Sequence, residues 1–401
     1  MNIRLIDPAG TLTPQKLSSR ETPHAVIEPN HTCNRRCALC YNRFRDVVKP
    51  LATVREEIDA LLSKRNLETI SILGGEPTLH GDLPEIVRYV KSQGVYCQIL
   101  TNGIILAKED GRLLARLVDA GVDRIMIHVD TGQGLSPEEV DAMRERLAER
   151  LEKAQVNFGM SFTMYEGSEI APIMKRYARF RYFDGVLATI ARYDGPENED
   201  KQGPDPLAVC GWIRAELGVT PVSYLPSNLD DEDARWLIYF YYLDVRSGKT
   251  VPLSPAYSRL MRRAYRAVKG RHLFAVPMKP RLTPFWFLLT ALAETLISPR
   301  RLGEFLALMR HPGSLRFQYI VLQSPPSFGR GSEVEICYHC PDATIRNGRL
   351  TPVCLADWIS PPGRHAEAGG DEELARAVYA HLEEEQIPEP AEEESAIVEV
   401  S

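Results

Sequence analysis

The chain has 401 residues and a mass of 45.1 kDa, is 44% hydrophobic and 25% charged, and carries a formal net charge of -6. These are the proportions of an ordinary soluble globular protein, long enough for one large domain and an appendage. The start, MNIRLIDPAG, lacks an apolar stretch behind a basic opening, so no secretory signal is expected, and the eight cysteines are spaced as ligands rather than as a disulfide framework. The expected compartment is a reducing cytoplasm.

From residue 24 to residue 193, apolar runs alternate with amphipathic stretches. The runs at 25–28, 69–73, 96–100, 124–129, 158–163 and 185–190 read as strands. Between them, 54–64, 82–92, 111–120, 137–153 and 170–178 carry helical periodicity. Apolar strands spaced by helices indicate βαβ units around a parallel sheet. Six units are too few for an eight-stranded barrel, and periodicity alone does not separate a partial barrel from an open doubly wound sheet. In either architecture the chemistry lies at the C-terminal ends of the strands. Cys33 to Cys40 follow the first strand, Gly74 to Pro77 the second, Thr101-Asn102-Gly103 the third, and Asp130 the fourth.

Cys33-Asn-Arg-Arg-Cys37-Ala-Leu-Cys40 can present three thiolates from one tight loop, and thiolates are the ligands that iron–sulfur clusters prefer. Three ligands leave one iron of a four-iron cluster open. A zinc site is the alternative on spacing alone. Arg35 and Arg36 tune the cluster charge or face solvent, and Cys97 reads as a small buried hydrophobe. The cysteine spacing, with Tyr41 directly after it, resembles the signature of the radical S-adenosylmethionine (SAM) enzymes. The resemblance implies a partial (β/α)6 TIM-type barrel, a 4Fe-4S cluster on Cys33, Cys37 and Cys40, and SAM on the open iron. It also implies reductive cleavage of SAM to a 5′-deoxyadenosyl radical, with an electron donor such as flavodoxin or ferredoxin. Gly74, Gly75, Glu76 and Pro77 match the family's glycine-rich motif, which pairs with the SAM amino group; a plain strand-ending turn is the alternative. Asn102 and Asp130, with His128 third, are the candidates for the ribose hydroxyls and the carboxylate. Tyr41 is placed to pack on the adenine or to cover the cluster.

A second constellation, Cys337-Tyr-His-Cys340 followed by Asp342, Gly348 and Cys354, has a metal-binding layout. It partly resembles the SPASM or twitch extension of radical SAM enzymes, which implies a second 4Fe-4S cluster. No cysteine follows Cys354, so Cys210 is the candidate fourth ligand, unless a substrate fills that position. Structural zinc, with His339 as a ligand, is the alternative. Residues 343–354 read as a hairpin turning at Asn347-Gly348.

Between these regions, 246–310 holds thirteen Lys or Arg against Glu294 and Glu304. The run Phe285-Trp-Phe-Leu-Leu-Thr-Ala-Leu-Ala293 is apolar but too short to span a bilayer. Arginines beside such a run suit an interfacial helix or a pocket for an anionic, greasy molecule; helices capping the barrel are the alternative. The apolar stretch argues against nucleic acid. From 366 to 401, twelve Asp or Glu stand against Arg376 alone, read as a helix over 371–385 and a disordered, solubilising tail.

The expected domains are an N-terminal segment (1–23), the barrel (24–204), a helical basic and apolar insertion (205–330), a cysteine-rich extension (331–365) and the acidic end (366–401). The expected function is hydrogen-atom abstraction from a lipid or isoprenoid-derived small molecule, with peripheral contact at a membrane surface. Peptide maturation is the alternative, disfavoured because only Met1 to Thr32 precede the first cysteine. A non-catalytic metal-binding protein is the third reading.

Overall fold

A computed structural model describes residues 1–383 except 17, 38, 109, 192–202, 274–279, 329–333, 364 and 366–368. After a short α1 (Ile3–Ile6), the strands β1 (His24–Asn30), β2 (Thr69–Gly74), β3 (Tyr96–Thr101), β4 (Arg124–His128), β5 (Asn157–Met164) and β6 (Phe183–Ile190) follow the expected rhythm. They alternate with α2 (Leu51–Lys64), α3 (Leu83–Ser92), α4 (Arg112–Asp119), α5 (Pro137–Ala154) and α6 (Ile170–Tyr177). Local chemistry sets the helix ends. In α5, Ser136 and Glu139 form a capping box, Pro137 takes the first turn, and Gln155 closes the helix in the left-handed region. Leu83, Ile86, Val87 and Val90 of α3 are fully buried, and each such burial is worth about 1.5–3 kcal/mol.

Each strand pairs in parallel with the next, β1 to β6 in sequence order. A doubly wound sheet needs a reversal of strand order, and none occurs here. With right-handed crossovers the helices then share one face, as in a barrel wall. The architecture is α/β, a partial TIM-type barrel.

The segment 205–330, expected to be helical, also supplies strands. It runs through α7 (Pro206–Leu217), β7 (Ser223–Pro226), β8 (Ala234–Asp244), β9 (Thr250–Pro252), α8 (Pro255–Lys269), α9 (Thr283–Ile297), α10 (Leu302–Met309) and β10 (Leu315–Gln323). β10 joins β6 in parallel, and β8 and then β7 add antiparallel. Nearly every residue of ARWLIYFYYLD (β8) and most of LRFQYIVLQ (β10) are buried, and these aromatic and branched runs suit a strand covered on both faces. Gly185 permits the junction. Its φ is +153°, and a Cβ there would stand 2.1 Å from the Tyr319 carbonyl oxygen. The helical insertion is therefore confined to α8–α10, which pack on β8 and β10 through Tyr242, Phe287 and Phe305.

The remaining chain forms β11 (Ser327–Phe328), β12 (Val334–Glu335), β13 (Ala343–Arg346), β14 (Arg349–Pro352), α11 (Ala356–Ile359) and α12 (Glu372–Glu383). β13 and β14 make the expected hairpin, with Asn347 and Gly348 at φ +48° and +75°. The hairpin lies against β1, where Arg346 pairs with Glu28 at 2.5 Å. At the other edge, Cys337 bridges to Ser227 just beyond β7. The extension thus spans the side the sheet leaves open. The acidic helix lies where expected, and the tail from 386 falls outside the described residues. No helix among the described residues is long and apolar enough to cross a membrane.

Candidate active site

The strands carry polar side chains at alternate positions: Thr69 and Ser71 in β2, Gln98 in β3, Arg124 and His128 in β4, Ser161 and Thr163 in β5. Period-two alternation sends these to one face. They line a cavity of about 950 Å³ inside the sheet, which also reaches Cys33, Cys37 and Cys40 and, on the open side, Cys337, Cys340 and Cys354. Tyr41, Gly74, Gly75, Glu76, Asn102, His128 and Asp130 line it too. Its floor is held by Arg124, which donates to Gln98 and Asp184, both at 2.7 Å.

The first triad sits on the loop after β1. Cys33 and Cys37 are half-buried and Cys40 is exposed. The Arg35 amide donates to the Cys33 sulfur at 3.4 Å. Burial and the neighbouring Cys40, Asp130 and Cys33 push the Cys37 thiol up to about 12. Burial pushes the Cys40 thiol up as well, and thiols so held need a shared cation to become thiolates, which a bound cluster would provide. Among the described residues no group of three His, Cys, Asp or Glu could hold a single metal ion. A four-iron cluster does not require convergence on one atom, because each thiolate meets its own iron. The donor set and the spacing fit the cluster.

Glu76 is engaged by four donors of the chain itself. Its Oε1 accepts from the Thr78 amide, the Thr78 hydroxyl and the Thr101 hydroxyl, and its Oε2 accepts from the Asn102 amide at 2.7 Å. Burial pushes its pKa above the ordinary value although these donors act the other way. A carboxylate so occupied ties the end of β2 to the end of β3 and positions Asn102. Backbone packing fixes the glycines: a Cβ on Gly75 would stand 2.2 Å from the Thr32 carbonyl oxygen, and one on Gly74 2.2 Å from that of Asn30. Pro77 starts a buried 3-10 turn and does not line the cavity.

Asn102 donates to the Asn34 side chain at 2.7 Å, inside the cysteine loop. Asp130 accepts from the Thr163 amide at 2.9 Å, and His128 stands between Asp130 (3.5 Å) and Ser161 (3.2 Å). Asn34, Gln98, Arg124, Ser161 and Thr163 were not anticipated. The alternation of polar and apolar residues in TISIL and RIMIH was the signal that could have found the strand positions.

In the second triad Cys337 and Cys340 are buried and Cys354 half-buried. The Cys340 thiol is held well above its ordinary value by its hydrogen bond with Cys337, by burial, and by Cys337, Cys354 and Asp342 nearby. Arg65, at the end of α2, bolts this loop to the barrel by donating to the carbonyls of His24 (2.7 Å), Cys340 (2.9 Å) and Pro341 (3.2 Å). Two expectations fail here. Cys210 does not line the cavity; it sits in α7 and accepts from the Tyr239 hydroxyl at 3.3 Å, because a cysteine on the core side of that helix is used for packing. His339 does not line the cavity either; φ +42° carries it round the turn, and its ring packs edge-on against Tyr338.

The extension also touches the first triad's loop. Asp357 of α11 accepts from the Arg43 amide at 3.0 Å, and the Arg43 guanidinium lies 3.9 Å from the Trp358 ring centroid.

The model of the radical SAM superfamily matches residues 27–165. A probable GTP 3′,8-cyclase of Methanococcus maripaludis is 34% identical over 103 residues, 25% of this chain and 33% of that protein. An Fe-coproporphyrin III synthase of Methanosarcina barkeri is 29% identical over 118 residues, 29% of each chain. The chain spans about a third of the length of these curated relatives. Among solved structures, Streptococcus suis SuiB bound to its precursor peptide SuiA matches with TM-score 0.36 and 17% identity, covering 43% of this chain and 40% of that one.

Proposed function

We propose, for a chain whose residues 27–165 match the model of the radical SAM superfamily, an enzyme that cleaves SAM reductively and takes a hydrogen atom from a substrate in the barrel cavity. The observation that carries this reading is the single cavity lined by both cysteine triads and by the polar ends of the strands. Cys33, Cys37 and Cys40 hold the 4Fe-4S cluster. When bound, that cluster supplies one electron to the SAM sulfonium, leaving methionine and a 5′-deoxyadenosyl radical. Asn102 and Asp130 orient SAM, and Glu76 fixes Asn102 through its backbone amide. His128, held between Asp130 and Ser161, steadies the carboxylate. The hairpin and α11 cover the open side and keep water from the cavity.

Cys337, Cys340 and Cys354 would hold a second cluster, which would serve as an electron acceptor or an anchor for substrate. A flavodoxin or ferredoxin supplies the first electron. The substrate is a small molecule of lipid or isoprenoid class. The cavity wall of Met126, Leu187, Trp236, Val321 and Ile336 supports an apolar body, and the apolar helices α9 and α10 support the same class. The names of the curated relatives favour a small molecule over a peptide, but a likeness over a third of their length does not carry their substrates across.

The test is iron content and 5′-deoxyadenosine formation after anaerobic reconstitution. Wild type is expected to hold about eight irons, and the Cys33→Ala/Cys37→Ala/Cys40→Ala variant about four, with 5′-deoxyadenosine lost. Formation retained in that variant would overturn the assignment.

A further inference from the structure

α9 is apolar on two sides. Phe287 and Ala291 face the core with Phe305 and Leu308 of α10. Phe285, Trp286, Leu289, Leu292 and Leu296, spaced by three or four residues on the opposite side, are 40–76% exposed. Leu302, Leu306 and Met309 of α10 extend the exposed surface at 41–50%. Eight large apolar side chains, each at least two-fifths exposed on two neighbouring helices, form the kind of grouped apolar face that marks an interaction site. A helix apolar all round belongs in a core or in lipid.

The charges around the face select the occupant. Arg281 precedes α9, Arg300 follows it, and Arg310 ends α10, all exposed. Glu294, the only acidic residue within α9, is fully buried; it accepts from the Ser254 amide and hydroxyl and pairs with Arg301 at 2.6 Å. Glu304 is the only exposed carboxylate among the described residues from 280 to 311, and Arg301 also donates to it. An apolar face with a cationic rim complements an anionic bilayer, whose acyl chains receive the leucines and whose phosphates receive the arginines. The same rim would set arginine against arginine in a pair of identical copies. α9 has 15 residues, about 22 Å of helix, less than the ~30 Å of a hydrocarbon core, so it lies in the interface rather than across it.

We infer that α9 and α10 dock the protein onto an anionic membrane surface. The inference rests on the lipid-substrate reading for its purpose, and on the face and its rim for its support. It is tested by flotation of the full, reconstituted chain with phosphatidylcholine vesicles, with and without phosphatidylglycerol. Wild type is expected to float with the phosphatidylglycerol vesicles, with Trp286 emission shifted to the blue. Leu289→Glu/Leu292→Glu should lower binding at least tenfold while leaving thermal stability and 5′-deoxyadenosine formation in vesicle-free buffer unchanged. Arg281→Ala and Arg300→Ala should each weaken binding to phosphatidylglycerol vesicles about fivefold. Failure of wild type to float, or flotation indifferent to the glutamates, would overturn the proposal. So would a dimer, seen by sedimentation without vesicles, that the glutamates dissolve, because the face would then belong to a second copy. Flotation without any 5′-deoxyadenosine formation would leave docking standing and remove the radical reading alone.

Discussion

The two cysteine triads reach one cavity by opposite routes. Cys33, Cys37 and Cys40 come from eight consecutive residues of a loop that leaves their sulfurs partly open. Cys337, Cys340 and Cys354 come from both sides of a hairpin, and two of them are enclosed. On the proposed reading, an open triad leaves room for SAM beside a cluster. A buried triad, bolted to β1 through Arg65, suits a group that stays put and exchanges electrons or grips substrate. Chemical activity and structural closure are thus divided, on that reading, between two stretches that share residue type.

Removing the second triad is the sharpest way to probe that division. Cys337→Ala/Cys340→Ala/Cys354→Ala should lower iron from about eight to about four per chain while 5′-deoxyadenosine still forms, which metal analysis and chromatography would check. Loss of 5′-deoxyadenosine in this variant would show that the triads do not act separately. A smaller effect is expected from Arg65→Ala, which strips three buried carbonyls of their donor. It should cost about 2–4 kcal/mol in denaturant titration and expose Cys337 and Cys340 to thiol reagents before Cys97, which is buried in the main core.

The smallest effect concerns the contact that joins the two loops. Burial pushes the Asp357 carboxyl up, but His31, the Arg43 amide and Arg346 outweigh it and hold it below its ordinary 3.8. A lowered carboxyl pKa contributes stability that is present above about pH 4 and lost as pH falls through the lowered value. Asp357→Asn should therefore be less stable than wild type by about 1–3 kcal/mol at neutral pH. The gap should close below pH 4, as thermal melts across pH would record. A gap that is constant with pH would mean that the contact does not depend on charge.

How legible these features were depended on sequence distance. Strands β1 to β6 could be read from their own runs, since each lies within a βαβ repeat and its partner is the next strand. β8 and β10 were passed over because ARWLIYFYYLD and LRFQYIVLQ sit in a stretch dominated by arginine and helical runs. Their partners also lie far off, so nothing local announced a strand. Glu76 was legible as a motif residue but its hydrogen bonds were not, because its four donors come from two separate strand ends. Cys210 was matched to the second triad by residue type alone, and the packing of α7 holds it outside the cavity.

The sequence by itself determined the first triad, the order of the parallel strands and the Asn347-Gly348 turn, because spacing and periodicity act over a few residues. The tertiary structure alone decided that β10 docks beside Gly185, that the extension bridges β7 to β1, and that both triads open into one cavity. Those outcomes depend on contacts between segments more than a hundred residues apart, whose energies come from buried pairs such as Arg346 with Glu28 and from the bonds of Arg65. No local pattern records them.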